Sequence, residues 1–227
     1  MADITIKEIA EIYSIRRGHW DGHFIYRGEN SSEYSLRPKF GRKLVEPYKA
    51  ASGKAFPAPA HEQPMLTEFK RFAAPHLSTR PEDEWDWLAI AQHHGLATRL
   101  LDWTSNILVA AYFACVRPRK EDAVIYVLDT EKIQDAPLSE SPFSVAQNVV
   151  FHPRHSTARI AAQAGVFTSH ADPALEFSGD MLQRVILPAR ILVELSVTLS
   201  TFDITKAKLF PGLDSVAERI NDRNGCT

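Results

Sequence analysis

Apolar residues recur along this chain with two different periods, and the switches between them mark out the elements. Leu66, Phe69, Phe72, Ala73 and Leu77 fall close to the i, i+3, i+4 spacing of a helix with one buried face. Pro81-Glu82-Asp83-Glu84 opens a second helix with acids in its first turn, and Trp85, Leu88 and Ala91 continue it. Gly95 follows as a stop signal. Ile4, Ile6, Ile9, Ile12 and Tyr13 form a rough helical stripe near the start, and Ala189–Leu199 and Leu213–Ile220 read as helices near the end. Short β-rich runs lie between them, at Phe24–Glu29, Thr98–Trp103, Ala123–Leu128, Val149–Phe151, Gly165–Thr168 and Arg184–Leu187. Helices and strands do not alternate regularly. The pattern therefore predicts an α+β fold, with small mixed or antiparallel sheets flanked by helices.

No long Gly/Ser-rich or low-complexity break divides the 227 residues, so a single domain spanning 1–227 is expected. Residues 38–64 carry Lys39, Arg42, Lys43, Lys49 and Lys54 with prolines at 57, 59 and 64, which predicts a mobile basic loop or insertion. A net charge of −2 gives no global attraction to nucleic acid or anionic membrane, so any polyanion contact must be local. No apolar run approaches about 18 residues, and the first residues lack a basic segment followed by an apolar core. A cytoplasmic location without a membrane contact is the expectation. The two cysteines, Cys115 and Cys226, lack metal-ligand spacing, and the nine histidines form no HExxH pattern, so no metal is expected.

Chemistry concentrates in Gln92-His93-His94-Gly95-Leu96-Ala97-Thr98-Arg99-Leu100-Leu101-Asp102-Trp103-Thr104-Ser105. Here polar and charged side chains interrupt an aliphatic strand that runs into an apolar helix, Asn106 to about Val116, with Ser105 as its expected N-cap. A strand-to-helix junction of this kind favours anions and ligands. Arg99 and Asp102 are three apart on a strand and so face opposite ways, each needing its own partner. Thr104 and Ser105 offer hydroxyls to a ligand or to a helix cap, His94 an imidazole, and Trp103 a ring for the core or for stacking on a base. Arg27, at the end of the Phe24–Glu29 strand, presents a permanently charged fork suited to phosphate, or to an ion pair with Glu29 or Asp102. Gly28 beside it allows a close backbone approach.

These segments resemble the FRG domain family. Tyr26-Arg27-Gly28 matches its naming triplet, and Gln92 to Thr104 its central string, with His94 for the usual Tyr and Ala97 for the usual Pro. Leu108–Ala114 matches its alanine-rich aromatic helix, Gln163–Phe167 its Gln-x-Gly-x-Phe segment and Phe210–Asp214 its ending. The order of the elements is also similar to that of ADP-ribosyltransferases. That second resemblance implies NAD as substrate, bound in a cleft between two small sheets, with its glycosidic bond broken for transfer to a macromolecule or to water. It places Arg27 on the phosphates or ribose, Thr104 and Ser105 on the nicotinamide side and Gln163 on the nicotinamide ribose. Gly28, His94, Thr98, Arg99 and Asp102 join them as expected nucleotide-binding residues. Gln163 cannot supply a carboxylate's charge, so Glu29, Asp102 or Glu176 would have to complete such a site. The family implies toxin or anti-phage roles, with nucleic acid as an acceptor and Lys39 to Lys54 as its contact. The alternative is a non-catalytic nucleotide or nucleic-acid binding module.

Overall fold

The computed structural model describes residues 3–45, 61–77, 80–116, 120–154 and 157–225. Seven strands form one mixed sheet: β1 (Ile4–Thr5), β2 (Phe24–Glu29), β3 (Leu100–Thr104), β4 (Ala123–Asp129), β5 (Val149–Phe151), β6 (Gly165–Ser169) and β7 (Leu182–Leu187), in the order β1-β7-β4-β2-β3-β6-β5. Only β1 runs parallel to its neighbour. The described helices are α1 (Ala10–Gly18), α2 (Lys39–Val45), α3 (Glu62–Ala73), α4 (Glu84–His93), α5 (Ile107–Cys115), α6 (Ala158–Ala162), α7 (Ala189–Thr201), α8 (Lys206–Leu209) and α9 (Leu213–Arg223). The result is an α+β architecture in which none of the described helices is long and apolar enough to cross a membrane.

The sheet is built as two ladders. β1, β7, β4 and β2 form one and β3, β6 and β5 the other, and the two meet at a single registered pair, Tyr26 opposite Thr104. The two small sheets implied by the resemblance are thus one sheet, nearly divided. On one face α5 and α7 bury Val109, Ala110, Ala114, Leu192 and Leu195 against Tyr26, Ile125 and Val185. Beneath the opposite face Ile25, Leu101, Trp103, Val124 and Leu128 close a second cluster. A third packs α3 and α4, through Leu66, Trp85 and Leu88, on Leu100, Val149 and Phe167.

Several elements start or stop where the sequence indicates. The Asp83 carboxylate accepts from the Asp86 N–H and caps α4, and Gly95, at φ 91°, turns the chain out of it. Other expectations are corrected. Ile4 belongs to edge strand β1, not to a helical stripe, and the buried Ile6 continues that pairing through its N–H to the Ile186 carbonyl. Sheet pairing there outweighs the approximate helical spacing. In the proposed basic loop, Lys39, Arg42 and Lys43 stand on α2 and Pro64 in the first turn of α3, while Lys49, Lys54, Pro57 and Pro59 lie outside the described residues. Gly41 lets α2 sit against the backbone at Pro173: a Cβ there would lie 1.5 Å from that carbonyl oxygen. Asn106, not Ser105, caps α5, accepting from the Leu108 N–H at 3.0 Å.

Candidate functional site

After Tyr26, β2 continues its pairing with β4 and β3 keeps its own with β6, so their facing edges separate. A cavity of about 770 Å³ opens there. Its walls are Tyr26–Asn30 and Asp102–Thr104, its floor comes from Ala110, Tyr112, Phe113 and Val116, and its far rim from Arg159, Gln163, Lys206, Phe210 and Glu218. Gly28 explains why the floor is so close. A Cβ at that position would lie 1.8 Å from the Ala110 carbonyl oxygen, so the close backbone approach allowed by Gly28 is made by α5.

Arg27 bridges the split. Its Nη1 donates to the Asp102 carbonyl at 2.7 Å, standing in for a missing ladder bond, and its Nη2 donates to Glu29 Oε1 at 2.5 Å. Arg27 and Glu29, two apart on β2, share the face away from α5, which makes this pairing local. Burial opposes the guanidinium charge, but Glu29, and then Asp102 with Oδ2 at 3.8 Å, outweigh it and raise its affinity for the proton. Glu29 is mostly covered and Asp102 largely open, so the cavity carries one sheltered and one solvated carboxylate.

Thr104 and Gln163 meet across the lower wall. The Thr104 hydroxyl donates to the Gln163 carbonyl at 2.7 Å and accepts from the Asn106 N–H at 3.0 Å, pinning the end of β3 to the end of α6. Gln163 is the C-cap of α6 instead of a strand residue, and its Nε2 donates to the Leu209 carbonyl at 3.0 Å. Hence Arg27, Thr104 and Gln163 line one cavity, with Arg27 Nη1 and Nη2, the Thr104 hydroxyl and Gln163 Nε2 engaged inside the protein and the buried Arg27 Nε without a partner among the described residues.

The FRG domain family matches residues 22–123, a span that carries β2, α4, β3 and α5 with Arg27, Gly28 and the whole Gln92–Thr104 string. The chain carries an FRG domain. Curated proteins and solved structures give no match. The FRG span supplies the split and the floor of the cavity, whereas Arg159, Gln163, Lys206, Phe210 and Glu218 lie beyond it.

Within the FRG signature the residues separate into two groups. Asp102 faces the cavity and accepts from Gln92 Nε2 at 3.2 Å. Arg99 turns the other way, as its spacing requires, into a buried network. Its Nε and backbone N–H donate to the two Glu62 oxygens at 2.8 and 2.7 Å, and Nη1 donates to the carbonyls of Pro142 and His170 at 3.3 Å. Burial pushes the Glu62 carboxyl up, against the pull of Arg99. Thr98 is buried too, donating to Gln92 Oε1 at 2.6 Å and accepting from the Leu100 N–H. His94 is an exposed helix end and Ser105 an exposed turn residue, both outside the cavity lining. The cavity therefore does not bring His94, Thr98, Arg99 and Ser105 together with Arg27: Thr98 and Arg99 are held in buried networks, and His94 and Ser105 stand outside its lining. Trp103 is core, its Nε1 donating to the Thr168 hydroxyl at 2.9 Å.

Arg159, Lys206 and Phe210 on the rim were not singled out by the sequence as ligand contacts. Arg159 sits with its guanidinium carbon 4.5 Å from the centre of the Phe210 ring. Lys206 is held by Glu218 at 2.5 to 2.6 Å. His93 lies close to the site: burial first, then the Arg159 charge, lowers its pKa to about 4, so it is neutral at pH 7.

Proposed function

We propose that this FRG-domain protein binds NAD in the cavity between the β2 and β3 ladders, cleaves its nicotinamide glycosidic bond and transfers ADP-ribose to a macromolecule or to water. The carrying observation is convergence: Arg27, Thr104 and Gln163 line one cavity with the carboxylates of Glu29 and Asp102. About 770 Å³ lies within the range of ligand pockets, and the aromatic floor at Tyr112 and Phe113 suits a planar ring. As the bond from ribose C1′ to the nicotinamide nitrogen breaks, positive charge grows on the ribose, and a preorganised carboxylate stabilises it. Glu29, held by Arg27, supplies that charge; Gln163 does not. Arg27 then acts as a positioning residue, and Thr104 as the brace that fixes β3. A toxin or anti-phage effector acting in the cytoplasm, with nucleic acid among its acceptors, is the biological role we attach to this chemistry.

A second reading, a non-catalytic nucleotide or nucleic-acid binding module, is favoured by the internal engagement of Arg27, Thr104 and Gln163. Nicotinamide release from NAD separates the two. Wild type is expected to release it, and Glu29→Gln to lose at least about 100-fold of the rate, with Asp102→Asn less affected. Saturable NAD binding with no release by wild type would establish the binding module instead.

A further inference from the structure

Three cations line the cavity, and two of them are already matched: Arg27 by Glu29, and Lys206 by Glu218. Arg159 is different. Its guanidinium has no hydrogen-bond or ion-pair partner among the described residues and lies over the Phe210 ring. A ring at 4.5 Å orients the planar fork without using its five N–H donors. Those donors are the unspent polar capacity of the rim. Lys206 stands on the same rim in an ion pair whose members are about half exposed, the class of pair that contributes little and exchanges partners readily. Across the cavity, Glu29 and Asp102 present negative charge that repels an anion.

The geometry points to a diphosphate-binding subsite on Arg159, with Lys206 as its second cation, and not on Arg27. This assignment rests on the nucleotide reading above and gives the ligand a direction. Its diphosphate lies against the α6–α8 rim, and its hydroxyl-bearing ribose toward Glu29 and Asp102. Arg27 lacks the freedom to serve the phosphates, because releasing it would leave the sheltered Glu29 carboxylate unpaired.

Calorimetric titration of the full chain with ADP-ribose, inorganic pyrophosphate and adenosine tests this. Arg159→Ala is expected to weaken ADP-ribose and pyrophosphate at least about tenfold, as loss of a charge-assisted pair does. Arg159→Lys should recover part of that loss, Lys206→Ala should give a smaller one, and adenosine binding should not change. The half-buried Arg159 side chain holds no hydrogen bond among the described residues, and its backbone bond to the Gln163 N–H survives substitution, so Arg159→Ala should fold with a wild-type melting curve. Unchanged ADP-ribose affinity in Arg159→Ala, with wild type binding normally, overturns the assignment while leaving the nucleotide reading intact. Arg159-dependent binding without nicotinamide release upholds the subsite and removes the cleavage reaction. Wild type that binds neither pyrophosphate nor ADP-ribose overturns both.

Discussion

Replacing Gly28 by alanine puts one methyl group where the backbone of α5 already lies. The new Cβ would sit 1.8 Å from the Ala110 carbonyl oxygen and 2.8 Å from both the Ala110 carbonyl carbon and the Ala114 nitrogen. Real Cβ contacts essentially never fall below 3.0 Å, so α5 or β2 must retreat by at least 1.2 Å. Neither is free to do so. α5 is wedged between the sheet and Leu192 and Leu195 of α7, and β2 is paired with β4 over its whole length. Overpacking ordinarily costs about 1–3 kcal/mol; a rigid backbone as the obstacle puts Gly28→Ala at the top of that range, about 3 kcal/mol. For a chain of this size that corresponds to a fall of about 6–12 °C in melting temperature. Urea unfolding followed by tryptophan fluorescence measures it, with Gly95→Ala as the comparison. Gly95 has open space around it and pays only for its φ of 91°, about 1 kcal/mol. The reasoning fails if Gly28→Ala lies within about 0.5 kcal/mol of wild type, or if the two substitutions cost the same.

Three further outcomes follow from the buried polar groups. Arg99→Met strands the Glu62 carboxylate in the core and should cost about 3–5 kcal/mol in urea unfolding; a loss under about 1 kcal/mol would show that the pair is not holding α3 to the signature. Thr104→Val removes both bonds of one hydroxyl and should cost about 1–3 kcal/mol, whereas a neutral change would contradict its bracing role. His170 is held down to about 3 by burial and then by Arg27 and Arg99, against an ordinary 6.5. Its stabilising contribution is whole above pH 6.5 and is lost as pH falls toward 3, because the unfolded chain takes a proton that the folded one refuses, at most about 1.4 kcal/mol per pH unit. Stability measured from pH 6 to 4 should therefore fall less steeply in His170→Asn by about one proton, and an unchanged slope would refute it.

What the sequence made legible was local or periodic. The α4 boundary at Gly95, the strand with Leu100 and Leu101, and the opposed faces of Arg99 and Asp102 all follow from spacing, and each is found. Position on a face did not reveal the partner. Arg99 finds Glu62, 37 residues earlier at the start of α3, and nothing local to Arg99 encodes that meeting. The α5 cap went to Asn106 because the Thr104 hydroxyl reaches the Asn106 N–H, leaving Ser105 turned outward. Gln163 was legible as a motif residue but not as the end of a short helix, since five residues carry too little periodicity to show one. Arg159 was hidden for the same reason, and its stacking on Phe210 arises only when α6 and α8 come together in the fold.

We propose above all that the gap between the β2 and β3 ladders receives a nucleotide. Amide chemical shifts of the full chain titrated with NAD test it most directly. The expected shifts fall on Arg27–Asn30, Asp102–Thr104, Arg159–Gln163 and Lys206–Phe210 and saturate together. Saturating shifts confined to another surface, such as the groove that Ile9, Ile12, Leu195 and Phe202 line between α1 and α7, or no shifts at all, would contradict it.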